Sequence, residues 1–221
     1  MDGAARALSS PSSGNGGVST AMRQVLIIFA HPGLERSRVN RALIEAAAGV
    51  EGVRIHDLYE AYPDFDIAVH AEQRLLEAHD VVIFQHPFFW YSAPAILKQW
   101  QDLVLEHGWA YGRAGTALRG KLTLNAITAG GGEDSYRREG GNRFEIGELL
   151  APFEGTARLC GMVWLPPFVV HGTHRLGDAE IAAHAEDYRR LLIGLRDGAV
   201  DVAAAGRWPR LNADLAAVLG S

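Results

Sequence analysis

Three stretches of this sequence carry groups suited to holding a flat, anionic ligand. The first is His31-Pro32-Gly33-Leu34-Glu35-Arg36-Ser37-Arg38-Val39-Asn40, which leaves an apolar run and enters helical spacing near Ser37. A helix start offers free backbone N–H groups and the positive end of the helix dipole, and a Ser hydroxyl adds a donor, so this stretch can bind an anion. His31 and Asn40 add polar contacts, and Arg36 or Arg38 can add charge. The second is Phe88-Phe89-Trp90-Tyr91-Ser92, four aromatics where a core has little use for them. They suit an apolar wall against a conjugated ring, each stacked pair adding on the order of 1 kcal/mol beyond burial. The third is Thr128-Ala129-Gly130-Gly131-Gly132-Glu133. Its glycines allow close approach of the backbone, and their N–H groups can bond a ring carbonyl. Each stretch also has an ordinary explanation: an N-cap at Ser37, a dimer interface at the aromatics, a plain flexible loop at the glycines. What favours a shared site is that one sheet edge would gather all three.

That edge follows from the elements around them. Residues 24–30 (QVLIIFA) are a continuous apolar run stopped by His31-Pro32-Gly33, and 80–85 a second buried strand that His86-Pro87 should stop, both as expected of strands covered on two faces. Residues 53–58, 121–128 and 163–170 supply three more strands, the last despite Pro166 and Pro167. Helical spacing runs over 39–48, 71–79, 94–107, 144–159 and 179–195, with Pro94 in a first turn and Pro152 expected to kink or restart its helix. Strands alternating with helices predict an α/β fold: a doubly wound, flavodoxin-like parallel sheet of five strands in the order 2-1-3-4-5, helices on both faces. Ligands of such sheets sit at the carboxyl ends of the strands, where the three stretches fall.

The chain has 221 residues, enough for one α/β domain with a good core. We read residues 1–22 as a disordered tail, 23–197 as the ligand-binding domain and 198–221 as an Ala-rich extension. The tail is rich in Ser and Gly and has no apolar centre, so it does not read as a signal peptide. A net charge of −5 argues against a nucleic-acid backbone as partner, and no apolar run is long enough to span a bilayer. The single cysteine, Cys160, suits a reducing cytoplasm and reads as core filler.

Competing motifs fail. Gly115 to Lys121 matches G-x-x-x-x-G-K, but Leu122 stands where a magnesium-binding Ser or Thr would be needed, and the motif precedes a strand. No G-x-G-x-x-G follows the first strand. His171 and His174 have metal-ligand spacing without an accompanying cluster, and read as surface or supporting histidines.

The segments LIIFAHP, LYEAYPDFDI, QHPFFWYSAPAILKQW, HGWAYGRAGTALRGK, TAGGGE and CGMVWLPPFVVHG occur here in order. In them the chain resembles the NAD(P)H:quinone oxidoreductases of the flavodoxin-like fold, most of all the ancillary subunits of bacterial glutathione-regulated potassium-efflux systems. The resemblance implies a hydride passed from NAD(P)H through bound FMN, with FAD as the alternative, to a quinone, the two substrates using one face in turn. It implies flavin contacts at His31, Ser37, Arg38, Val39 and Asn40, at Phe88, Phe89, Trp90 and Tyr91, and at Thr128, Ala129, Gly130 and Gly131. Tyr136, with Trp90 and Tyr91, would act on the substrate side. Animal quinone reductases place a relay histidine six residues after that tyrosine; here the count lands on Asn142, leaving Tyr136 or solvent to deliver the proton. The aromatic surplus predicts a homodimer. The alternative role is regulatory: a subunit bound peripherally to a potassium-efflux transporter at the inner membrane face.

Overall fold

The computed structural model describes residues 22–220, so the expected tail lies, but for Met22, outside the described residues. In chain order the main elements are β1 Val25–Phe29, α1 Arg38–Ala48, β2 Val53–Asp57, α2 Leu58–Ala61, α3 Val69–Glu77, β3 Val81–Pro87, α4 Ala95–Val104, β4 Leu122–Thr128, α5 Ile146–Leu149, α6 Ala151–Leu159, β5 Val163–Trp164, β6 Phe168–Val170, α7 Asp178–Asp197, α8 Val202–Ala205 and α9 Leu215–Leu219. The strands pair in parallel in the order β2-β1-β3-β4-β5, with β6 also on β4.

Successive side chains of a strand point to opposite faces, and the core divides accordingly. Val25, Ile27 and Phe29 meet Leu43 of α1 and Tyr188 and Leu192 of α7. Leu26, Ile28, Val82 and Phe84 meet Leu76 of α3, Trp100 of α4 and Phe153 of α6. Cys160 is buried in that second layer, and burial pushes its thiol pKa up.

Several boundaries move for identifiable reasons. His86 and Pro87, expected to stop β3, extend it. Along a parallel strand the N–H groups alternate between neighbours; Phe88 donates to Thr128, so position 87 faces the β1 side, where β1 has already ended at Phe29. The proline therefore costs no ladder bond. The helix expected over 144–159 divides into α5 and α6, with Pro152 in the first turn of α6. The helix over 94–107 ends early, at Val104. Asp57, read as strand, also caps the short α2, its carboxylate accepting from the Tyr59 and Glu60 amides.

The single strand expected over 163–170 is two. Pro166 and Pro167 cannot donate to the ladder, and the pairing breaks there. Leu122 pairs with Val163 and Thr123 with Trp164, a spacing of 41 positions, whereas Ala126 pairs with Phe168, a spacing of 42. One extra residue is absorbed between the halves, and the facing of side chains inverts across it. Leu165 and Phe168 consequently share the α1/α7 layer, while Val169 faces the other layer. His171, two residues on, reaches Tyr136, with ring centroids 5.6 Å apart.

A buried polar node fixes α3 against α4. Glu72 is 2% exposed, and its carboxylate accepts from the Trp100 indole N–H (2.7 Å), from His56 Nε2–H (2.9 Å) and from the Tyr62 hydroxyl. Burial alone would raise its pKa; the three donors outweigh it and hold the carboxyl below the ordinary 4.5.

Candidate active site

The carboxyl end of β1 turns at His31 into a short 3-10 turn and then into α1. Ser37 is the N-cap of α1 in extended conformation. Its Oγ accepts from the Asn40 amide and from Asn40 Nδ2, both at 3.3 Å, so the hydroxyl proton remains to be donated. The Arg38 and Val39 amides open the helix, where geometry gives them no intrahelical acceptor. No acidic residue occupies the first turn of α1, which leaves the dipole's positive end uncompensated. Asn40 is buried and its Nδ2 also donates to Thr128 Oγ1 at 2.8 Å, clamping this loop to the end of β4. The Arg38 guanidinium turns away, to Asp178 (2.6 Å) and the Leu176 carbonyl (3.1 Å), so its contribution to an anion is through its backbone. His31 Nδ1 accepts from the Gly33 amide (3.1 Å), and burial lowers the ring's pKa, favouring neutral imidazole.

The β3 loop makes a tight turn closed by Ser92 N–H to the Phe89 carbonyl at 2.9 Å. Its two central residues, Trp90 and Tyr91, have φ of 49° and 62°. Large side chains rarely adopt this left-handed region, at a cost on the order of 1–2 kcal/mol each. Trp90 is 93% exposed, so packing of its side chain on the described residues does not repay that cost. The Tyr91 hydroxyl donates to Asn142 Oδ1 at 3.1 Å. Asn142, where the resemblance led us to look for a histidine, thus ties the aromatic turn to the segment after β4.

After β4, Ala129 is fully buried. Its N–H donates to the Val170 carbonyl (2.8 Å) and its carbonyl accepts from the Thr173 N–H (3.2 Å). Ala129 is thus held by the sheet and the turn after it, β6 taking its N–H and Thr173 its carbonyl, and it lines neither cavity described below. The Gly130 and Gly131 N–H groups have no partner among the described residues. Their missing side chains serve packing: a Cβ at Gly130 would lie 3.0 Å from His174 Nε2, and one at Gly131 would lie 3.0 Å from the Tyr136 ring. The Tyr136 pKa is raised by burial and by Tyr91, so the phenol stays protonated near neutrality.

These loops enclose two adjoining cavities that share Phe88. One, of 720 Å³, is lined by His31, Ser37, Arg38, Val39, Asn40, Phe88, Phe89, Thr128 and Gly130. The other, of 510 Å³, is lined by Phe88, Trp90, Tyr91, Gly131, Tyr136 and Asn142. Every expected site residue except Ala129 is in one or the other. The sequence reading missed Thr173 and His174, which complete the first cavity. His171 and His174 diverge, one against Tyr136 and the other over Gly130. The volumes are those of small-molecule sites. An anion cradle at one end, aromatic walls and two free amides fit a flavin mononucleotide.

The flavodoxin-like fold family matches residues 23–192. The glutathione-regulated potassium-efflux system ancillary protein KefF of Klebsiella aerogenes is 48% identical over 169 residues, 76% of this chain and 94% of that protein. KefG of Pectobacterium atrosepticum is 44% identical over 165 residues, 75% of this chain and 90% of that protein. Among solved structures, general stress protein 14 of Treponema denticola in complex with FMN superposes with a TM-score of 0.75 at 39% identity, covering 78% of this chain and 99% of that one. An NADPH-quinone reductase from P. pentosaceus gives 0.70 at 34%, covering 76% and 96%.

Proposed function

Because the chain belongs to the flavodoxin-like fold family, we propose that it is an FMN-dependent NAD(P)H:quinone oxidoreductase working by an alternating two-electron mechanism. The observation that carries this reading is the convergence of three strand-end loops on adjoining cavities with an anion cradle at one end. The FMN complex and the quinone reductase among its structural relatives supply the chemical class. When bound, FMN supplies the hydride chemistry that links NAD(P)H oxidation to quinone reduction. Ser37 and the first amides of α1 would hold the phosphate, and Phe88 and Phe89 would exclude water from the ring edge. The Gly130 and Gly131 amides would stabilise negative charge developing at a carbonyl. Tyr136 would bring to the 510 Å³ cavity a hydroxyl proton that no other described residue takes, whereas the Tyr91 hydroxyl is donated to Asn142, which brings no acidity of its own.

Purified protein is expected to be yellow and to oxidise NAD(P)H only when a quinone such as menadione is present. Double-reciprocal plots at several menadione concentrations should be parallel, since one face serves both substrates. Clearly intersecting lines would mean that both substrates bind together.

The strained aromatic turn also favours a homodimer. Phe89, Trp90 and Tyr91 are exposed by 44%, 93% and 50%, and together make an apolar rim beside the site. Light scattering should give twice the 23.9 kDa chain mass; a monomer at micromolar concentration removes the idea.

A second reading is favoured by the names of two relatives, at 48% and 44% identity: an ancillary subunit resting on a potassium-efflux transporter, its reductase activity secondary. No helix among the described residues is long and apolar enough to cross a membrane. Co-purification with that transporter distinguishes it from a free reductase.

A further inference from the structure

The family match ends at residue 192, yet the chain beyond α7 is built into the fold. Ala205, Leu211 and Val218 are fully buried, and Leu215 nearly so. Leu211 N–H donates to the Pro167 carbonyl at 2.9 Å. Asn212 pairs twice with Val169, its Oδ1 accepting from the amide (3.0 Å) and its Nδ2 donating to the carbonyl (2.8 Å). One side chain thus does for the outer edge of β6 what a neighbouring strand would do, and it fixes the segment to within a hydrogen bond.

Arg210, two residues before Asn212, extends from this anchored point to the loop after β4. Its Nη1 is 2.6 Å from Glu133 Oε1, and its side chain is 23% exposed against 47% for the carboxylate. Glu133 opens the short 3-10 turn Glu133–Ser135, and its backbone carbonyl accepts from the Tyr136 N–H at 3.0 Å. Tyr136 lines the 510 Å³ cavity and also a further one of 330 Å³, walled in part by His171, Pro209 and Arg210. Its ring rests edge-on against Phe88 and tilted against His171, at 6.0 and 5.6 Å between centroids, and its backbone hangs from the Glu133 turn.

We infer that Arg210 is a positioning residue, through which the C-terminal segment holds the Glu133 turn and so sets Tyr136 in the substrate cavity. The catalytic part of this rests on the reductase reading; the mechanical part does not, and the two are tested apart. The turn is followed by Arg137 and Arg138, natural trypsin sites. In flavin-free protein, Arg210→Ala should speed cleavage after these residues about fivefold, as loss of one partly shielded ion pair allows. Arg210→Lys should restore most of the protection, and adding Glu133→Gln to Arg210→Ala should change nothing more. In flavin-loaded protein, Arg210→Ala should lower kcat/KM for menadione by a similar factor, with no further loss when introduced into a Tyr136→Phe variant. An unchanged cleavage rate in Arg210→Ala, or effects of the Arg210 and Glu133 changes that multiply, overturns the tether. Protection lost as expected but kcat/KM losses that multiply with Tyr136→Phe overturns the link to Tyr136 and leaves the reductase reading standing.

Discussion

Replacing Ser37 with glutamate is expected to give a folded but colourless protein. The substitution sets a carboxylate at the start of α1, where the flavin phosphate would sit among the Arg38 and Val39 amides. At about 4 Å and an effective dielectric near 20 the repulsion is on the order of 4 kcal/mol, enough to weaken binding roughly a thousandfold. The fold should survive, because α1 has no acidic residue in its first turn and its dipole favours one. Ser37→Ala is the control. It loses the bonds accepted from Asn40 and one donor to the phosphate, about 1 kcal/mol, and should remain yellow. Far-UV circular dichroism checks the fold, and fluorescence titration of free FMN gives the affinity. Full flavin occupancy in the glutamate variant would reduce Ser37 to a helix cap.

Glu72→Ala is expected to cost about 3–5 kcal/mol of stability, because it orphans three donors at once and each buried unsatisfied group costs about 1–3 kcal/mol. The loss is large because Trp100 is fully buried: its indole N–H, the Tyr62 hydroxyl and His56 would all lose an acceptor. For a domain of this size that is a fall in Tm of roughly 10 °C. The node also sets a pH dependence. Its carboxyl pKa is lowered in the fold, so the stabilisation is complete above the ordinary 4.5 and disappears as pH falls through the folded value. Wild-type melting temperature should therefore drop on acidification below about pH 4.5, and the variant should show a shallower drop. Equal slopes would place the acid sensitivity elsewhere.

How much of this was legible beforehand depends on what each residue had to satisfy. β1 and β3 are covered on both faces, so Val25–Phe29 and the first four residues of β3 are apolar throughout and easily seen, although β3 runs on through the buried polar Gln85 and His86. α7 declares itself through the spacing of Ile181, Ala185, Tyr188 and Leu192. Pro87 misled because a proline stops a strand only when its missing N–H was needed, and need depends on where β1 ends. α2 could have been found: Asp57 with Glu60 three residues on is a helix-start pattern. The site was legible for a different reason. Strand order places every loop that follows a strand at one edge, so the first three loops could be gathered without coordinates. Thr173 and His174 escaped because they follow the proline-broken strand, and their role depends on a close approach to Gly130 that no local pattern announces. Arg210 escaped because its partner, Glu133, lies 77 residues away.

The two prolines between Leu165 and Phe168 act on this site as a reading frame acts on a message. What they transmit is a count. With a spacing of 41 before them and 42 after, the odd residue decides which layer receives Val169 and which side of the sheet His171 leaves from. Exchanging either proline for another residue keeps the count. Removing one would transpose every later side chain of β6, sending Phe168 and Val170 into the wrong layer and His171 away from Tyr136. Asn212, matched to the Val169 backbone, would lose its register with the same stroke. Along this stretch, length is therefore held more tightly than composition, and descendants of this sequence can vary the letters far more freely than their number.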